Sequence, residues 1–229
     1  ADLARCFEPA ISYQVIPNGI DTQTFYPPAE HNLEGRIKLL TVCRLIERKR
    51  LHLLIEALAC ALRQNLDAEL TIVGEGNLLS ELQRLAAGLG VSDRVHFAGL
   101  VEYDELAPIY RSHHLFLMAS AHEGMSNAML EAMASGLPIV TACREGSEEL
   151  IDDNGMVVSQ ADAQQIADAI LEIVRKADVY CKMSAASRKK AMEFSWQNVA
   201  QRYVQLYHDI LSGQEKSADT INRSKPLCR

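Results

Sequence analysis

Two glutamates set eight positions apart carry the most specific chemistry in this sequence. They are Glu123 and Glu131, in the run Ala121-His122-Glu123-Gly124-Met125-Ser126-Asn127-Ala128-Met129-Leu130-Glu131. An ionised carboxylate is an acceptor only, and its two oxygens can take hydrogen bonds from neighbouring hydroxyls of one sugar ring. The run follows an apolar, strand-like segment and opens a helical one. The backbone N–H groups of Gly124, Met125, Ser126 and Asn127 therefore stand at a helix N-terminus, where they suit a phosphate or sugar oxygen. A plainer reading has Glu123 complementing the helix dipole and Glu131 sitting in water. Against it, Met129, Leu130, Ala132, Met133 and Ala134 enclose Glu131, and a carboxylate in so apolar a helix needs a partner.

Two other loops hold candidate ligand-binding residues. Arg44-Leu45-Ile46-Glu47-Arg48-Lys49-Arg50 crowds four cations and one carboxylate before a helix. The helix dipole disfavours cations there by roughly 0.3–1 kcal/mol each. Either this is a solvated basic face, or an anion offsets the mismatch, with Arg44 and Lys49 gripping phosphate oxygens. Val73 is followed by Gly74-Glu75-Gly76. A dinucleotide fingerprint needs a third glycine where Leu79 stands, so close approach of a ligand to Gly74 competes with ordinary turn chemistry.

The elements that must position these loops follow from periodicity. Apolar runs at Ile37–Cys43, Leu70–Val73, Arg94–Ala98, Leu115–Met118, Leu137–Thr141 and Met156–Val158 predict strands, with a further short one at Tyr13–Ile16. Helical spacing marks Leu51–Arg63, Leu78–Ala87, Glu102–Arg111, Asn127–Ser135, Ala163–Arg175, Tyr180–Glu193 and Trp196–Leu211. Pro108 should shorten or kink its helix, and Gly136 stands where a helix stops. Strands alternating with helices predict an α/β fold, a Rossmann-like open parallel sheet with helices on both faces. Ligands of such sheets bind beyond the carboxyl ends of the strands, which is where all three loops lie. Residues 1–35 read as a linker and the start of the domain, 36–212 as a ligand-binding domain with a closing helix, and 213–229 as a flexible tail.

Composition narrows the function. With 48% hydrophobic and 23% charged residues among 229, the chain is globular rather than disordered. A net charge of -7 argues against a general nucleic-acid binder or a basic membrane-surface protein. The six cysteines form no C-x-x-C pair, so a reducing compartment fits better than a disulfide scaffold or zinc site. No apolar run reaches the ~18 residues that span a bilayer, and the start at Ala1 shows no signal-peptide pattern and reads as that of a fragment. His113-His114 reads as a surface pair, and Asp152-Asp153-Asn154-Gly155 as a plain turn.

Taken together, these motifs identify a family. Glu123 and Glu131, with Ala132-Met133-Ala134-Ser135-Gly136-Leu137-Pro138-Ile139-Val140 after them, resemble the signature of the retaining family 4 glycosyltransferases (glycosyl transferases group 1), of GT-B fold. Val15-Ile16-Pro17-Asn18-Gly19-Ile20-Asp21 with Phe25 looks like that family's interdomain linker, Arg44-Leu45 with Lys49 like its diphosphate loop, and Phe194-Ser195-Trp196 with Tyr207 like its closing helix. Val73-Gly74-Glu75-Gly76 and Val95-His96-Phe97-Ala98-Gly99 match the next two strand ends. The resemblance runs to about Leu211. Departures fall at Cys43 and Arg50, where the family usually has glycine, and at Gly146-Ser147 in place of Gly-Gly.

The resemblance implies one half of a GT-B fold, the C-terminal donor-binding half of a hexosyltransferase that uses a nucleoside-diphosphate sugar and retains anomeric configuration. Arg44 and Lys49 would neutralise the diphosphate and Glu123 would hold the hexose. Gly124, Met125, Ser126 and Asn127 would line the donor, Glu131 would hold the ribose, and Val101 and Gly74 would border the nucleotide. Without an Asp-x-Asp motif, neither a metal nor another cofactor is expected. The acceptor would belong to an N-terminal domain, leaving this half inactive alone, and the closing helix would be open to self-association. The resemblance places the protein in the cytoplasm, with a peripheral position at the inner membrane face as a variant. A non-catalytic nucleotide-sugar-binding module and a GT-B nucleotide-sugar epimerase are the rival readings.

Overall fold

A computed structural model describes residues 14–29, 33–142, 146–147 and 149–212. The segment Asn18–Trp196 forms one compact unit that contains the whole sheet. Strands β1 (Ile37–Val42), β2 (Ala68–Val73), β3 (Val95–Gly99), β4 (Leu115–Met118), β5 (Ile139–Thr141) and β6 (Gly155–Val157) are all parallel, in the order β3-β2-β1-β4-β5-β6. This is the expected Rossmann-like sheet, and its order reverses between β1 and β4.

Each strand sends alternate residues to opposite faces. Leu39, Leu115, Leu117 and Val140 enter one core with helices α1 (Leu51–Arg63), α2 (Leu79–Gly88) and α5 (Ala163–Val174). Leu40, Phe116, Met118 and Ile139 enter the other with α3 (Tyr103–Arg111) and α4 (Asn127–Ala134). Two buried faces account for strands that are apolar nearly throughout. Helix α6 (Ala177–Met192) packs on α4 and α5.

Three readings from the sequence need correction. Residues 14–16 form no strand and Val15 is exposed, while Tyr13 lies outside the described residues. Pro108 does not shorten α3; the bond its missing N–H forfeits would go to Asp104, and both residues are exposed, so water can serve that carbonyl. His113 is not at the surface. It is buried, with Nδ1 2.6 Å from the Ile109 carbonyl and Nε2 2.9 Å from Thr71 Oγ1, and burial holds its pKa below the ordinary value. The 152–155 turn is as expected: Asn154 accepts from the Asp152 N–H and donates to the Leu150 carbonyl.

The segment before β1 is fastened to the domain. Ile20 bridges in parallel to Ser195, with Ile20 N–H on the Phe194 carbonyl at 2.8 Å. Phe25 is fully buried in the second core. Arg188 of α6 donates to the carbonyls of Phe25 and Ala134 at 2.8 Å and of Thr22 at 3.0 Å. One guanidinium thus ties the incoming chain to the end of α4. The described part of a second unit is residues 14–17 and 197–212. Helix α7 (Trp196–Leu211) begins at the boundary between the units. Val199 is buried, whereas Tyr203, Val204, Tyr207, Ile210 and Leu211 are exposed. The 213–229 tail lies outside the described residues.

Replacing Arg188 with Ala leaves three carbonyls short of a donor. Hydrogen bonds to a charged group contribute about 1.5–3 kcal/mol each, less where water can substitute. Urea denaturation should show a loss of about 2–3 kcal/mol with an unchanged m value. A loss below about 0.5 kcal/mol would show that the clamp is not needed.

Candidate functional site

The loop after β1 is seated on the loop after β2. Leu45, fully buried, donates its N–H to the Glu75 carbonyl at 2.8 Å and accepts from Leu78 at 3.2 Å. The glycines permit this approach. A Cβ on Gly74, whose φ is +128°, would lie 2.0 Å from the Cys43 carbonyl oxygen, and one on Gly76 would lie 2.3 Å from that of Leu45. Gly74 therefore has a packing role beside the phosphate-loop candidates, whatever else it borders. Cys43 is mostly buried, which pushes its thiol up to about 11 despite nearby Lys49.

From Cys43 the chain makes a single 3-10 turn at Glu47–Lys49 and then passes through Arg50 into α1. Arg50 adopts a left-handed backbone, φ 46° and ψ 43°. That conformation suits glycine and costs another residue roughly 1–2 kcal/mol. The side chain supplies the compensation: Nε donates to the Ala119 carbonyl and Nη2 to the Ser120 carbonyl, both at 2.7 Å. Arg48 adds two ties, its Nη1 to the His122 carbonyl and its own carbonyl to the Ala121 N–H, each at 2.8 Å. Two of the crowded cations thus stitch the loop after β1 to the loop after β4.

Between these ties Lys49 Nζ hydrogen-bonds and ion-pairs with Glu123 Oε1, and both side chains are largely buried. Burial alone would raise the Glu123 pKa, but hydrogen bonding and neighbouring positive charge, Lys49 foremost with Ser120 and Arg48 adding to it, hold the carboxyl below its ordinary value. Glu123 is therefore ionised at neutral pH. Gly146, φ +78°, comes up behind it. A Cβ there would lie 2.2 Å from the Glu123 carbonyl oxygen and 2.4 Å from that of Gly124. Arg44 is exposed and forms no ion pair among the described residues.

Ser126 caps α4, its Oγ accepting from Met129 N–H at 3.3 Å. The N–H groups of Asn127 and Ala128, in the first turn, have no intrahelical acceptor. Asn127 accepts at Oδ1 from Asn18 Nδ2 at 2.9 Å, and the Asn18 N–H points to Met125 Sδ at 3.2 Å. Asn18 was legible only as part of the linker motif, not as a neighbour of this helix. Glu131 lies one to two turns in, buried, and its Oε2 accepts from the Tyr110 hydroxyl at 2.8 Å. Burial lifts its pKa above the ordinary glutamate value, with the Tyr110 bond pulling the other way. Val101 is half-buried on the second core, near β3. The structure brings Lys49 and Glu123 together, places Glu131 on α4 eight residues beyond Glu123, and leaves Arg44 exposed.

The fold is that of Rossmann-like GT-B glycosyltransferase domains. The C-terminal domain of LpcC, a glycosyl transferase group 1 family protein from Francisella tularensis, superimposes with a TM-score of 0.68 at 25% identity, over 76% of this chain and 97% of that one. Sucrose-phosphate synthase from Thermosynechococcus elongatus matches at 0.77 and 26% identity, over 93% of this chain and 56% of that one. Residues 36–176 fit the sequence model of glycosyl transferases group 1. The chain is also 32% identical over 230 residues to the GDP-mannose-dependent alpha-(1-6)-phosphatidylinositol monomannoside mannosyltransferase of Mycobacterium tuberculosis, covering 93% of this chain and 59% of that protein. The chain belongs to the glycosyl transferases group 1 family, and it spans about three-fifths of the length of that curated relative.

Arg50→Gly tests which effect governs the loop. Glycine relieves about 1–2 kcal/mol of left-handed strain but removes two charge-assisted bonds of about 1.5–3 kcal/mol each. The variant should be less stable by about 1–5 kcal/mol in urea denaturation. Unchanged or increased stability would mean that the Ala119 and Ser120 carbonyls do not depend on this guanidinium.

Proposed function

We propose that this chain is the donor-binding half of a retaining hexosyltransferase that uses a nucleoside-diphosphate sugar, with the acceptor held by a further domain. The observation that carries the reading is the meeting of Lys49 and Glu123 at the β1/β4 switch point, where open α/β sheets bind their ligands. Length supports a further domain, since the chain covers only 59% of the mannosyltransferase from M. tuberculosis. The match to nearly all of the LpcC C-terminal domain supports the assignment to the second half. GDP-mannose is the first donor to try, because that relative's name specifies it.

In this reading Arg44 and Lys49 take the diphosphate, and no metal is needed, because the two cations supply the charge that stabilises the leaving group. The N–H groups of Gly124, Met125, Ser126 and Asn127 face donor oxygens, Glu123 accepts from hexose hydroxyls, and Glu131 accepts from the ribose diol. Gly74 and Val101 border the nucleotide. The anomeric carbon–oxygen bond to the diphosphate breaks, and the acceptor oxygen bonds on the same face. The acceptor's proton passes to the departing phosphate, so retention needs no protein nucleophile. This half binds the donor but does not transfer it unaided, because positioning of the acceptor belongs elsewhere.

The ion pair adds a condition. In this reading a diphosphate draws Lys49 from Glu123, and that exchange leaves both carboxylate oxygens of Glu123 to the hexose. Calorimetric titration of the chain and its variants with GDP and GDP-mannose at fixed salt tests the reading. The unmodified chain should bind both, the sugar nucleotide more tightly. Lys49→Met should weaken GDP about tenfold or more, which is 1.4 kcal/mol. Glu123→Gln should tighten GDP severalfold while abolishing the preference for GDP-mannose, and the tightening should vanish in the Lys49→Met background. UDP and UDP-glucose run in parallel identify the base. Failure to bind any of the four ligands would overturn the reading.

A further inference from the structure

We infer that Tyr110 is the positioning residue of Glu131, fixing that carboxylate so that its remaining acceptor sites face the nucleoside. The inference rests on the reading of Glu131 as the ribose ligand. Tyr110 is fully buried on α3, its ring 5.7 Å edge-on from Phe25 and 6.1 Å from Phe116. A ring held between two others has little room to turn. Its hydroxyl lies 2.8 Å from Glu131 Oε2 and 3.2 Å from the Ala128 carbonyl. Ala128 and Glu131 are three apart on α4 and share one face of it. The hydroxyl therefore addresses two successive acceptors of the helix that begins beside Glu123.

A carboxylate offers about four lone-pair positions, and Tyr110 occupies one, on a known oxygen. A buried carboxylate without such a donor would be neutral or disordered among rotamers, and neither state presents paired acceptors to a diol. Tyr110 remains a donor throughout the physiological range, because burial and the neighbouring Glu131 hold its own ionisation well above the ordinary tyrosine value. The other titratable groups around this pair are Tyr103 on α3, raised by burial and by Glu131, and Cys43 at the end of β1, raised to about 11. Both are neutral at and below neutral pH, so Glu131 is the group whose charge changes there.

Tyr110→Phe keeps the ring and removes only the hydroxyl. GDP affinity, measured calorimetrically between about pH 5 and pH 8, above the ordinary glutamate range, separates positioning from packing. The variant should bind about tenfold more weakly at neutral pH. The affinity should also fall off at a higher pH than in the unmodified chain, because the bond that pulls the Glu131 pKa down is gone. A role in packing alone would not move that limb. In a Glu131→Ala background, Tyr110→Phe should change nothing further. An unmodified chain that binds GDP through Glu131, with Tyr110→Phe binding equally at every pH, overturns the inference and leaves the functional reading standing. An unmodified chain that binds no nucleotide removes the functional reading and the inference with it. A Tyr110→Phe chain that does not fold assigns the hydroxyl to stability and overturns the inference.

Discussion

One ion pair, Lys49 with Glu123, is the contact on which the arrangement at the switch point depends. It spans two loops whose paired residues are 74 positions apart in sequence. Cations gathered before a helix repel one another and oppose the helix dipole. A single carboxylate brought across from the β4 loop offsets that charge in a largely buried setting, where opposite charges interact more strongly than in water. Either partner alone would be a poorly solvated charge, and breaking such a pair costs more than it would at the surface. The pair also couples the two loops: an anion competing for Lys49 would change the surroundings of Glu123.

The neighbouring residues hold that geometry in place. Arg48 and Arg50 use hydrogen bonds to backbone carbonyls of the β4 loop rather than charge pairing, so the two loops remain joined whichever partner Lys49 has. Gly74 and Gly76 let the β2 loop support the β1 loop from below, and Gly146 lets the chain after β5 press on the backbone at Glu123. Left-handed backbone at Arg50 is a local cost accepted at a candidate functional position and compensated by its own side chain. Such conflicts between local preference and global structure are expected at functional sites more than elsewhere.

Much of this was legible in the sequence because it is local. Apolar runs and helical spacing are set by neighbouring residues, so the six sheet strands and seven α-helices of the described residues were placed, with ends shifted by a few residues. The three loops followed from strand ends alone. What connects the loops was not legible. Tyr110 gave no signal as the partner of Glu131, 21 positions away, although the apolar surroundings of Glu131 showed that a partner was needed. Arg188 carried no signal in the sequence, yet it binds carbonyls more than 160 positions away. His113 read as a surface residue because it precedes a strand; its burial depends on Thr71 of β2, which no local pattern reveals.

In the proposed reading Lys49 changes partners when a diphosphate enters. A crystal structure of the chain with GDP tests it most directly. The diphosphate should lie beyond the carboxyl ends of β1 and β4, with Lys49 Nζ within hydrogen-bond distance of a phosphate oxygen and no longer on Glu123. The ribose diol should lie on Glu131. A bound diphosphate elsewhere on the sheet, or one lying there with the Lys49–Glu123 pair intact, would contradict it.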